Sequence, residues 1–188
     1  MDILLSLMGD RLPVAISLAT LGVVWVAAWV DFRTFRIPNA LAVFGALLGL
    51  SIQAWAGGLP GLGQGLLGLG LGLGLLFPVY AIGHMGAGDV KLMAALGALL
   101  GPRWLLLVLV LAILAAGIVG LLYALAAWRR RGATGPLARY GRMVRFLLVT
   151  GRPSYVPPAP EEALAERLPL AVPIAIGATA ALLWPLWP

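Results

Sequence analysis

Long uncharged runs dominate this chain and are separated by short charged segments. The runs cover residues 12–30, 37–88, 92–102, 104–128 and 168–188. The first contains 19 residues, close to the roughly 20 that a helix needs to cross a bilayer. The second is long enough for two crossings, and the sequence AGGLPG at 56–61 favours a break between them. This pattern predicts apolar helices that span a membrane.

The run 92–102 is too short to be an obvious span. Its 11 uncharged residues would make a helix of only about 16 Å, against a hydrocarbon core of ~30 Å. If it did not cross, the arginine-rich segment 129–152 would lie outside, against the positive-inside rule. We therefore predict an all-α bundle of six transmembrane helices, formed by residues 1–188 as a single domain, with both termini outside.

The third predicted span, GLGQGLLGLGLGLGLLF, alternates leucine and glycine as a strand would. A lone strand in lipid leaves its backbone groups unpaired, so we interpret the segment as a helix. Gly61, Gly65, Gly68 and Gly72 then share one face with helical spacing. A face of this kind allows a neighbouring helix to approach closely.

Composition supports a membrane protein and excludes several chemistries. Apolar residues make up 62% of the chain and charged residues 11%, far from the balance of a soluble domain. The chain has no cysteine and one histidine, which argues against disulfides, a thiol nucleophile or a zinc site, so we expect no metal and no cofactor. The net charge of +6 comes from arginines beside apolar runs, which predicts anionic lipid rather than nucleic acid as the partner.

Residues 128–167 form the one long segment outside the predicted spans, and we assign them to a cytoplasmic loop. Within it, Pro136 and Gly151 flank a stretch with helical amphipathicity. The apolar face carries Leu137, Tyr140, Val144 and Leu147, and the basic face carries Arg139, Arg142 and Arg145. This segment predicts an interfacial helix on an anionic membrane surface, and a role in substrate docking is a second possibility.

Asp31 and Asp89 are the only carboxylates within or next to the long apolar runs. Each has a structural explanation, since Asp89 could cap a helix and Asp31 could end one beside Arg33 and Arg36. Together they are better explained by function, because ionisable groups at membrane depth are costly and six crossings put both on the cytoplasmic side. Two adjacent carboxylates can hold one proton between them, so that one activates water while the other polarises a carbonyl.

The sequences around the two aspartates carry a family resemblance. DFRTFRIPN, residues 31–39, and GAGDVKL, residues 86–92, resemble the two signature blocks of the prepilin (type IV leader) peptidase family, membrane aspartic proteases of the GxGD type. The resemblance implies that Asp31 and Asp89 are catalytic. It gives supporting places in the motifs to Ile37, Pro38, Asn39, Gly86, Gly88 and Lys91.

The resemblance also implies a substrate and a location. The substrate would be a prepilin or pseudopilin whose short basic leader precedes a hydrophobic helix. It would be cut after a glycine at the cytoplasmic face of the bacterial inner membrane. Larger relatives add a cysteine-containing domain linked to methylation, so this cysteine-free chain is similar to short members that serve Flp/Tad-type pili. In the last span, Leu170 and Ala171 replace the aromatic residue and the glycine usual in the family.

Two other classes of function remain open from the residues alone. A proton-coupled transporter could use the same aspartates as a relay, and a pilus-assembly scaffold would not need them. No internal repeat favours the transporter, and no GxSxG, HExxH or Walker A pattern supplies another chemistry. We interpret Lys91 as a snorkelling side chain that points away from Asp89, and His84 as a structural or solvated residue.

Overall fold

The computed structural model describes residues 14–83, 85–131, 136–151 and 169–183. These residues form five helices, which are α1 (Val14–Thr34), α2 (Asn39–Ala81), α3 (Ala87–Arg131), α4 (Pro136–Thr150) and α5 (Ala171–Leu183). The described ranges contain no strand, so the predicted all-α class is confirmed.

Within the described ranges, three stretches are long and apolar enough to cross a membrane: α1, α2 and residues Ala87–Leu122 of α3. At 13 residues, α5 is apolar but shorter. Helix length alone therefore supports a membrane protein with three candidate spans, and the map of six crossings stays a prediction.

The two longest helices are interrupted at glycines with left-handed backbone angles. Gly58 has φ 59° and ψ −144°, and Gly101 has φ 74° and ψ 174°. A side chain is strained in this region, and a proline follows closely at Pro60 and at Pro102. Gly58 lies within the AGGLPG segment where the sequence predicted a break.

At Gly58 the chain folds back on itself. A Cβ on Gly65 would lie 3.0 Å from Leu50 Cδ2 and 3.5 Å from Gln53 Cβ. In a continuous helix the positions of Leu50 and Gly65 would be separated by about 22 Å. The two parts of α2, before and after Gly58, therefore pack side by side as a hairpin.

A similar distance argument applies to α3. A Cβ on Gly177 would lie 2.5 Å from the backbone N of Ala112, and Gly177 is only about 9 Å along α5 from Ala171. Ala171 contacts Asp31, and Asp31 interacts with Asp89. A continuous helix would place Ala112 about 35 Å from Asp89, so α3 also turns back at Gly101.

The glycine face predicted for the third apolar segment packs against the first part of α3. A Cβ on Gly72 would lie 2.5 Å from Met93 O and 2.8 Å from Ala94 Cα. A Cβ on Gly68 would overlap Gly97 O, and one on Gly97 would overlap Gly68 O. The predicted close helix approach is confirmed at Gly68 and Gly72, and the residue opposite Gly68 is a second glycine, Gly97.

Gln53 supports the break at Gly101. Its Nε2 donates a hydrogen bond to Leu99 O at 3.0 Å. Leu99 stands in the last turn before Gly101 and Pro102, where backbone carbonyls lose their helical N–H partners. A side chain from the α2 hairpin thus satisfies a carbonyl that the break exposes.

The described residues divide into two compact units, residues 14–116 with 169–183, and residues 117–131 with 136–151. The first unit contains the core and both aspartates; its fully buried side chains include Val24, Leu96 and Leu105. The second contains α4, which begins at Pro136 and ends before Gly151 (φ 65°), as predicted. Arg142 and Arg145 are exposed, as are Val144 and Leu147.

Candidate active site

Asp31 lies in the last turn of α1 and is buried, with 6% of its surface exposed. The helix ends at Thr34, whose Oγ1 lies 2.9 Å from Val30 O and 3.0 Å from Arg36 O, so its one O–H can donate to either carbonyl. Phe35 follows in a left-handed conformation, φ 51°, with its N–H bonded to Asp31 O at 2.7 Å. This turn ends the helix just after Asp31 and leads the chain into Ile37 and Pro38.

The Asp31 carboxylate accepts a hydrogen bond from the start of α5. The backbone N–H of Ala171 donates to Asp31 Oδ2 at 3.1 Å, and both groups are buried. Ala171 is the first residue of α5, where N–H groups have no partner within the helix. A second bond joins the same two helices, from Trp25 Nε1 to Thr179 Oγ1 at 3.2 Å, so α5 runs antiparallel to α1.

Asp89 is the third residue of α3 and is 8% exposed. Its N–H donates to Gly86 O at 3.2 Å, which forms the turn that begins the helix. A Cβ on Gly86 would lie 3.1 Å from Asp89 Oδ2. The glycine therefore leaves room for the carboxylate beside the backbone.

The two motif blocks are in direct contact. A Cβ on Gly88 would lie 3.0 Å from Ile37 Cβ, so this glycine lets the start of α3 approach the turn after α1. Lys91 Nζ donates to Asn39 Oδ1 at 2.9 Å. Pro38 precedes α2 with extended angles, φ −61° and ψ 133°, and its carbonyl accepts from Leu41 N. These contacts hold the start of α3 beside the start of α2.

The two buried carboxylates interact electrostatically. In a site largely removed from water, two carboxyl groups that interact in this way can share one proton. One ionised and one protonated carboxyl group form the acid and base needed for hydrolysis. Among the described residues no group of three or more histidine, cysteine or acidic side chains could hold a metal ion.

The structure brings together all eight residues that the sequence placed in the motifs. They are Asp31, Ile37, Pro38, Asn39, Gly86, Gly88, Asp89 and Lys91. Lys91 differs from its interpretation as a snorkelling side chain, because it bonds to Asn39 in the other motif block. His84 lies outside the described residues.

Sequence reasoning missed one contact of Asp31, the hydrogen bond from the N–H of Ala171. Every residue has a backbone N–H, so its type gave no sign of this bond. The available signal was position, since Ala171 follows Pro169 at the start of an apolar run, where a helix begins with free donors.

A family model described as the type IV leader peptidase family matches residues 18–121. The match includes both motif blocks and both aspartates. Searches of curated proteins and of solved structures found no match.

Proposed function

Because the chain belongs to the type IV leader peptidase family, we propose that it cuts prepilin-like substrates with Asp31 and Asp89 as an aspartic dyad. The observation that carries the proposal is that these two carboxylates are buried and interact electrostatically where the two motif blocks are in contact. One carboxylate takes a proton from water as the water attacks the scissile carbonyl. The protonated partner donates a hydrogen bond to the carbonyl oxygen.

The proposed arrangement in the membrane has six crossings, with the dyad at the cytoplasmic face of the bacterial inner membrane. The folds at Gly58 and Gly101 support it, because each lets one long helix supply two antiparallel segments. Positive residues support the orientation, since Arg33 and Arg36 lie on the aspartate side.

The proposed substrate is a prepilin or pseudopilin with a short basic leader and a following hydrophobic helix. The position of the dyad supports this choice, because Asp31 ends one apolar helix and Asp89 begins another. A peptide bond at the junction of a polar leader and a membrane helix would lie at the same level. Exposed Arg33 and Arg36 near the site would repel a basic leader, so recognition of the leader's charge is assigned to anionic lipid rather than to these residues.

Anionic lipid is also the proposed partner of α4. Arg142 and Arg145 are exposed, and Val144 and Leu147 lie on a different face of the same helix. A helix with these two faces lies in the interface, with its cations near lipid phosphates. No nucleic acid partner is proposed.

Replacement of each aspartate tests the function. Asp31→Asn and Asp89→Asn should each reduce cleavage of a purified prepilin by roughly 10²-fold or more, because each removes one member of the acid/base pair. The double variant should be no worse than either single one, since the pair acts as a unit. Cleavage would be followed by mass spectrometry of the released leader in detergent or vesicles.

Glu161→Gln provides a matched control, because it neutralises a carboxylate in the segment between α4 and α5. It should leave turnover unchanged. Wild-type activity should also fall on both sides of a pH optimum, since the dyad needs one proton. If either Asn variant were stably inserted and still processed prepilin at a near-normal rate, the dyad would be wrong, and a transporter or scaffold would explain the aspartates better.

A further inference from the structure

Helix α5 has no reactive side chain, yet it contacts the proposed dyad directly. Its sequence, AVPIAIGATAALL, contains no titratable residue. Its contribution is the buried backbone N–H of Ala171, which donates to Asp31 Oδ2 across a separation of 140 residues. We infer that this N–H is a positioning group for the proposed peptidase, which orients the Asp31 carboxylate and stabilises its ionised form.

The position of the donor in its helix supports this assignment. Val172 N and Ile174 N donate to Pro169 O and Leu170 O, respectively, in the turn that begins α5. The N–H of Ala171 instead points to Asp31, as a free donor in the first turn of a helix. Such donors carry the positive end of the helix dipole, and a hydrogen bond to an ionised acceptor is stronger than one to a neutral acceptor.

The two aspartates differ in how their backbone partners are supplied. The partner of Asp89 is Gly86, three residues away in the same turn, which moves together with it. The partner of Asp31 comes from another helix and depends on the packing of α5 against α1. That packing is fixed further along by the bond from Trp25 to Thr179 and by the close approach of Gly177 to Ala112.

Other charged groups near Asp31 do not replace this donor. Asp89 faces it from α3 and is negative or neutral. Lys91, also in α3, is bonded to Asn39. Arg33 stacks on the Trp29 ring at 4.4 Å, and Arg36 is exposed. Two further titratable side chains on these helices are Tyr80, near the end of α2, and Arg103, which is exposed after the break in α3.

Ala171→Pro removes this N–H at a position where proline is tolerated, because the first residue of a helix needs no intrahelical donor. Ala171→Gly is the matched control, since it removes the methyl group and keeps the N–H. In a prepilin cleavage assay, the Pro variant should lose roughly tenfold in kcat with KM within about twofold, because a charge-assisted bond is lost but the substrate surface is not. The Gly variant should stay near wild type in both constants.

The pH profile separates this positioning role from a structural one. Loss of the donor makes the ionised form of Asp31 less stable, so Asp31 takes up its proton at a higher pH. The acidic limb of the activity profile should therefore move upward by about one pH unit in Ala171→Pro and stay in place in Ala171→Gly. An unchanged acidic limb in a folded Pro variant would overturn the inference.

A second variant covers the case in which Ala171→Pro does not insert. Trp25→Phe removes the bond to Thr179 that fixes α5 along α1, and Trp25 is half-exposed, so folding is not at risk. Its acidic limb should move in the same direction by a smaller amount. A Trp25→Phe profile identical to wild type would count against control of Asp31 by α5.

The inference rests on the proposed function, and a chemical probe distinguishes their failures. A hydrophobic carbodiimide adds to protonated carboxyl groups, and peptide mass spectrometry can measure the adduct on Asp31 as a function of pH without any substrate. Ala171→Pro should extend labelling of Asp31 to higher pH, and Ala171→Gly should not. If labelling shifts while wild-type protein cuts no prepilin, the proposed function fails and the role of Ala171 stands; equal labelling in all three proteins overturns that role.

Discussion

At the scale of single residues, two contacts join the two motif blocks. The bond from Lys91 to Asn39 and the close approach of Gly88 to Ile37 lie within a few residues of Asp89. Neither contact includes a carboxylate. Their effect is to fix the start of α3, and with it the position of Asp89, relative to the turn that follows Asp31.

The Lys91–Asn39 bond predicts graded rather than complete losses of activity. Lys91→Met should lower prepilin cleavage about fivefold, the effect of losing a hydrogen bond of about 1 kcal/mol. Lys91→Gln should retain more turnover than Lys91→Met, because its amide can still donate to Asn39. Asn39→Leu combined with Lys91→Met should lose no more than either change alone, as expected for two partners in one bond. Additive losses, or inactivity of Lys91→Gln, would assign Lys91 to the chemistry instead.

At the scale of helices, glycine determines how closely the segments pack and where they turn. Gly68 and Gly97 face each other with no room for a side chain between them. Gly70 belongs to the same leucine-glycine sequence, but a Cβ there meets nothing within 4 Å. The two kinds of glycine look alike in the sequence and differ only in what lies opposite.

Alanine substitutions should separate these two kinds of glycine. Gly68→Ala places a methyl group against the Gly97 backbone, which cannot move as a side chain can, and overpacking of this kind costs about 1–3 kcal/mol. Its midpoint of thermal unfolding in detergent should therefore fall by several degrees. Gly70→Ala should keep or slightly raise the midpoint, because alanine is the better helix former. Equal midpoints for the two variants would show that the helices can separate at no cost.

At the scale of the whole molecule, the prediction that matters most is the arrangement in the membrane. The folds at Gly58 and Gly101 return the chain toward the end that carries Asp31 and Asp89. With the positive-inside rule, this geometry predicts that both breaks face outward and that the aspartates face the cytoplasm.

Single cysteines can test this arrangement without background, because the chain has none of its own. Cysteines at Gly57 and Arg103, next to the two breaks, should react with a membrane-impermeant maleimide in intact cells. Cysteines at Ala133 and Ala159 should react only after the inner face is opened. Labelling of Ala133 from outside would reject the six-span map.

The membrane class, the helical fold and the two motif blocks could all be predicted from the order of residues along the chain. A backbone in lipid must satisfy its own hydrogen bonds, so long uncharged runs form helices. Carboxylates are rare at membrane depth, so the two aspartates are conspicuous in the sequence. The sequence also located the break near Gly58 and the ends of α4, which depend on glycine and proline at particular positions.

Which distant groups contact each other depends on the packing of the helices in three dimensions. Whether Gly68 lies against Gly97, whether Lys91 reaches Asn39, and whether α5 offers its first N–H to Asp31 depend on how distant segments fold together. The last of these could not be read from residue types, because a backbone donor is present at every position except proline. The N–H of Ala171 has no partner within its helix because Ala171 is the first residue of α5. The packing of α5 against α1 then places this N–H beside the buried carboxylate of Asp31.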